Sequence, residues 1–171
     1  MRLHGTILSL GLLALSFPVW AQPTVVKLKG CEYTVELPSK PVYRTGRPAE
    51  AGSVAAGSSQ VAEIRQSVPA FRVECQPLSR QPERKELAML DDMEIMARSM
   101  NLYGLQLSQE KSKRLGHIGV FSGEQIQAQR RLVVTGRMYL GERSILAVLA
   151  TEFETGYPSE KVLRVFRSVG R

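Results

Sequence analysis

Apolar and polar residues alternate from Val25 to Lys29 and again from Glu32 to Leu37. That two-residue period is the mark of a half-buried strand. "CEYTVELP" closes at Pro38, and "PSKP" turns the chain. The run "AFRVECQ", residues 70 to 76, predicts another strand. Between these, residues 46–60, "GRPAEAGSVAAGSSQ", hold small residues and no bulky apolar anchor, which predicts a long flexible surface loop.

The period changes after Pro82. Met89, Met93, Met96 and Met100 fall in one narrow arc of a helix predicted from Pro82 to Asn101. Leu90 and Ala97 widen the arc, while Arg84, Asp91, Asp92, Glu94 and Arg98 lie opposite. Pro82 suits a first turn, where a missing N–H costs nothing. The second half then predicts hairpins. Leu105 to Leu107 is a short strand and "SQEKSKRLG" a turn. His117 to Phe121 and Gln125 to Leu132 flank a turn at "SGE". Leu132 to Leu140 and Arg143 to Phe153 are the longest strands. Gly141-Glu142 between them fits a two-residue type II′ turn. In the last strand both faces are apolar, so both must be covered. "YPSEKVLRVFRSV" closes the pattern as a helix burying Val162, Val165, Phe166 and Val169. The order predicts an α+β domain in which helices sandwich an antiparallel β-sheet (α/β/α), with the 136–153 hairpin at the sheet's centre as scaffold.

The N-terminus changes the setting. Arg2 precedes an apolar run from Ile7 to Val19, and Val19-Trp20-Ala21 places a cleavage point after Ala21. Residues 1–21 are therefore expected to be a signal peptide, and 22–171 a single exported domain without a transmembrane segment. Trp20 and His4 leave with the leader, so His117 is the one histidine of the expected mature chain. The formal charge of +7 falls to +6 with Arg2. Export argues against nucleic acid as the partner of this basic surface and favours anionic headgroups, acidic proteins or glycans. Cys31 and Cys75, an even count in an exported chain, predict one disulfide. Localisation is expected to be periplasmic or secreted.

Three segments resemble the PsbP-like fold family, which includes many exported bacterial proteins: "CEYTVELPSKP" is similar to its opening strand, "TGRMYLGERSILAVLA" to its central hairpin and "SEKVLRVFRSV" to its closing helix. The resemblance implies a PsbP-like fold and a binding or assembly role rather than catalysis.

Catalytic patterns are sparse. His117 and Ser122 are the candidates for a hydrolase, but "GVFSG" places the serine one position late for a nucleophile elbow. Asp91, Asp92 and Glu94 spread beside basic residues as a solvated helix face. Met93, Met96 and Met100 place three thioethers on one face, which suits either core packing or Cu(I). Arg130, Arg131, Arg137 and Arg143, with Lys111, Lys113 and Arg114, would grip an anionic partner if the first four shared a sheet edge. The sequence predicts an exported, non-enzymatic binding or assembly factor of the cell envelope that uses no cofactor. Its expected partner is another envelope protein or an anionic envelope component. A periplasmic hydrolase and a Cu(I)-handling protein are the alternatives.

Overall fold

The computed structural model describes residues 22–48, 55–83 and 85–171, with the side chains of 85–87 left aside. The expected leader and Arg84 lie outside these residues, as does the middle of the expected 46–60 loop.

The opening alternation forms β1 (Thr24–Lys27) and β2 (Thr34–Leu37), a two-stranded sheet of their own, with one further bridge from Thr34 to Gly170. All other described strands join one antiparallel sheet. These are β3 (Val42–Pro48), β4 (Ser58–Ile64), β5 (Ala70–Pro77), β6 (Tyr103–Ser112), β7 (Gly116–Gln127), β8 (Arg130–Leu140) and β9 (Ser144–Phe153). Their order is β3-β4-β5-β9-β8-β7-β6, so β9 is the middle strand of seven, with β8 beside it. The β8–β9 hairpin is thus central scaffold. The described residues are mostly antiparallel sheet with two α-helices, α1 (Lys85–Ser99) and α2 (Glu160–Arg167).

Alternation on β9 divides the core. Leu146, Val148 and Ala150 pack with Phe71, Val73, Ala62, Tyr139 and the α2 residues Val162, Val165 and Phe166. Val26, Tyr33, Val35 and Leu37 of the β1–β2 hairpin share that cluster. We call this the disulfide face, because the Cys31–Cys75 bond joins the hairpin to β5 there, with Cα atoms 5.9 Å apart. Leu149 and Ile145 point the other way and pack with Met138, Leu140, Phe121 and the α1 residues Met89 and Met93. This is the methionine face.

Several expected boundaries are corrected. Residues 46–48 and 58–60 belong to β3 and β4, not to a loop. The composition misleads because β3 is an exposed edge strand that needs no apolar alternation. "SQEKS" is likewise strand, the distal part of edge strand β6, and the turn is confined to 113–115. "SGE" runs straight through β7, Ser122 opposite Thr135 and Glu124 opposite Val133. The real turn is Ala128-Gln129, both at positive φ (48° and 65°), a conformation that neither residue type advertises. Helix α1 begins at Lys85, three residues after Pro82. Gly141 lacks the positive φ of a type II′ turn. A Cβ there would collide with the Glu32 carboxylate, which reaches across to accept a hydrogen bond from the Arg143 backbone N–H at 2.6 Å. Gly141 is needed for close approach, not for conformational freedom.

Candidate functional site

The methionine face is built unevenly. Helix α1 lies against β6, β7 and β8. On the same face, β3, β4 and β5 carry charge instead. Period-2 alternation puts Arg44, Ser59, Val61, Glu63, Arg72 and Glu74 on this side, because Val73, Cys75 and Ala62 occupy the other. Glu63 stands directly opposite Arg72 in the register.

Glu63 is the hub. Its side chain is 7% exposed, and three guanidinium groups surround it. Arg44 Nη2 lies 2.6 Å from Oε1, Arg65 Nη2 2.5 Å from Oε2 and Arg72 Nη1 3.4 Å from Oε1. Arg72 also donates to Glu74 Oε2 at 2.5 Å, and Ser59 Oγ donates to Glu74 Oε1 at 2.7 Å. Burial works to raise the Glu63 pKa, but hydrogen bonds and charge from Arg44 and Arg65 together hold it below the ordinary carboxylate value. The three arginines keep 42%, 71% and 38% of their side chains exposed in the order Arg44, Arg65, Arg72. Each guanidinium has five donors, more than these contacts consume. The buried carboxylate therefore orders three partly exposed cations with donors to spare. Chemically this is a preorganised cradle for a phosphate or carboxylate group, since bidentate geometry is what arginine offers such anions.

Nearer α1, a shallow depression is lined by Pro82, Ala88, Met89, Asp92, Met138, Leu140 and Ile145. Partial burial there, with the Asp91 charge added, raises the Asp92 carboxyl above its ordinary pKa. Asp91 is exposed, and Glu94 pairs with Arg98 at 2.5 Å, as expected of a solvated helix face.

The sequence-derived candidates are scattered by comparison. His117 and Ser122 both lie on β7, five residues apart. An odd separation turns them to opposite faces, about 16 Å apart along the strand. The fold does not bring them together as nucleophile and base. Arg130, Arg131, Arg137 and Arg143 share no sheet edge, because the first three lie on the interior strand β8. Arg130 stacks over Phe153 and Arg137 over Phe166, with guanidinium carbons 5.7 Å and 5.3 Å from the ring centres. Arg131 pairs with Glu124 and Glu154, and Arg143 sits in the β8–β9 turn. Lys111, Lys113 and Arg114 are exposed near the end of β6, where Arg114 also donates to the Val169 carbonyl. Among Met93, Met96 and Met100, only Met93 is fully buried. Met96 and Met100 pack at the margin of the same cluster.

The arginines that do converge, Arg44, Arg65 and Arg72, are not gathered by the sequence pattern, because it marks no strand between Pro38 and Pro69 and leaves the expected 70–76 strand, with Arg72, without a charged neighbour. A signal existed: "EIR" at 63–65 and "RVE" at 72–74 each place opposite charges two residues apart, hence on one face of a strand. Antiparallel pairing of those strands brings the charges into one array.

No family description matches the chain, and no curated protein matches it. Among solved structures, the chain is similar to LpqN of Mycobacterium tuberculosis, a protein involved in cell envelope biogenesis, at 15% identity and a TM-score of 0.46. That likeness covers 87% of this chain and 90% of LpqN. It is also similar to PA94 of Pseudomonas aeruginosa, a protein of unknown function, at 11% identity and a TM-score of 0.39, over 81% and 88% of the two chains.

Proposed function

We propose that this chain is an exported binding module of the cell envelope that holds an anionic group on the β3–β5 half of its methionine face. The observation that carries the proposal is the buried Glu63 with Arg44, Arg65 and Arg72 gathered around it. A carboxylate kept ionised in a nearly closed position fixes three flexible cations, so less side-chain entropy is lost when a ligand arrives. The Cys31–Cys75 disulfide and the leader-like residues 1–21 support an oxidising compartment, periplasmic or extracellular. The net positive charge would draw the chain toward an anionic surface. The role is binding rather than turnover, on a PsbP-like scaffold with the sheet held between its helices.

Flotation of the exported protein with vesicles tests this. Vesicles containing phosphatidylglycerol should carry the protein and pure phosphatidylcholine vesicles should not. Binding should weaken as salt is added, because exposed charges are screened. Equal partition to both vesicle types would end the anionic-headgroup reading.

A further inference from the structure

We propose that Met89, Met93 and Met138 form a soft-cation site for Cu(I) beneath α1. The carrying observation is at Gly119 of β7. A Cβ placed on Gly119 would fall within 3.0 Å of the sulfurs of both Met89 and Met93, which puts the two sulfurs no more than about 5 Å apart. The missing side chain of Gly119 is thus the space into which two thioethers converge. Met138 is the direct cross-strand partner of Gly119, so its Cα stands about 4.5–5.5 Å from that glycine. All three methionines belong to one buried cluster. Buried methionine alone needs only filler packing; convergence of sulfurs over a glycine is what a ligand site adds.

The depression beside α1 is lined by Met89 and Met138, with the Asp92 carboxylate on its wall. A cation would pass a carboxylate before meeting sulfur. Thioethers are uncharged soft donors that select Cu(I) over hard ions. The two cysteines are joined to each other, so no thiolate competes for the ion among the described residues. This site differs from the expected set of Met93, Met96 and Met100. Met96 lies about one turn beyond Met93 on α1 and Met100 just past the helix end, and the sulfurs that meet over Gly119 are those of Met89 and Met93. The proposal stands apart from the anion-binding reading, because it uses none of the same side chains.

The test uses the exported, disulfide-bonded protein with isotope-labelled methionine methyl groups, and Ag(I) as a soft probe that needs no reductant. One equivalent of Ag(I) should shift the ε-methyl signals of Met89, Met93 and Met138 and leave those of Met96 and Met100 in place. Met138→Leu should weaken Ag(I) binding, and Cu(I) binding in competition with a chromogenic chelator, at least tenfold. Should Met138→Leu fail to fold, Met89→Leu in the lining of the depression carries the same prediction, with a dispersed amide spectrum as proof of folding. No methyl shift at one equivalent, a shift confined to Met96 and Met100, or unchanged binding by the folded leucine variant would overturn it.

Discussion

The two faces of the sheet are held by different means. On the disulfide face, a covalent bond, a tilted tyrosine pair and several long-range polar ties converge. Tyr33 and Tyr139 pack at 5.9 Å, Arg171 lies over Tyr33, and Tyr33 donates to the Leu115 carbonyl. Glu32 caps the β8–β9 turn, and Thr34 pairs through its backbone with Gly170. The methionine face relies on apolar packing under α1 and on charge over β3–β5. Methionine is flexible and tolerant, and partly exposed arginines are adaptable. A sheet pinned on one side can leave its other side to bind.

The largest break in this comparison is removal of the disulfide. Replacing Cys31 and Cys75 by serine together should cost about 4 kcal/mol of unfolding free energy, since the bond closes a loop of 44 residues' separation. Urea denaturation measures it. The disulfide face should show the change first, as faster amide exchange in β1 and β2.

A smaller break is Gly141→Ala. The added Cβ meets the Glu32 carboxylate, so the cap on Arg143 must move, at a cost of about 1–3 kcal/mol. Because Gly141 is not in the left-handed region, that loss reports the lost approach and not backbone strain.

Titration sharpens the comparison, because the faces should fail at opposite ends of the pH scale. Burial, only partly opposed by Arg137, pushes the Tyr139 phenol from 10.0 to about 12. A raised folded-state value favours the protonated form. Its contribution is therefore complete below the unfolded value and is lost as pH rises from 10.0 through about 12. Glu63 behaves in reverse. Its lowered folded-state value contributes above the ordinary 4.5 and is lost as pH falls through the folded value. Alkaline unfolding should track phenolate absorbance, and Tyr139→Phe should remove that component. Acid loss should be blunted in Glu63→Gln.

The smallest expected effect is at Arg98. Its pairing with Glu94 is exposed and within one helix, so Arg98→Ala should change stability by less than about 0.5 kcal/mol. A larger loss in thermal unfolding would mean that α1 depends on its outer surface more than on Met89 and Met93.

Legibility followed burial. The β8–β9 hairpin, α2 and the alternation of β1, β2 and β5 were readable because each buries a regular apolar set. Ser159 also caps α2 by accepting from the Val162 N–H, although at 3.4 Å. The edges were not readable. β3 and β6 face solvent along most of their length, so their strand character comes from backbone pairing with β4 and β7. The turn at Ala128-Gln129 was hidden because its conformation is imposed by the strands on either side. The candidate site suffered for the same reason. Glu63, Arg65, Arg72 and Glu74 become an array only when β4 and β5 are paired, and Arg44 joins only through edge strand β3. The expectation of export rests on residues 1–21, which lie outside the described structure.

The most direct test sets two arginine groups against each other on phosphatidylglycerol vesicles. One variant carries Arg44→Gln, Arg65→Gln and Arg72→Gln. The other carries Arg130→Gln, Arg131→Gln and Arg143→Gln, which removes the same formal charge from side chains that do not converge. The account predicts that the first variant loses at least tenfold in vesicle affinity while the second stays within about threefold of the parent protein, the share expected of net charge alone. Equal losses in the two variants would contradict it, leaving diffuse positive charge in place of a built site.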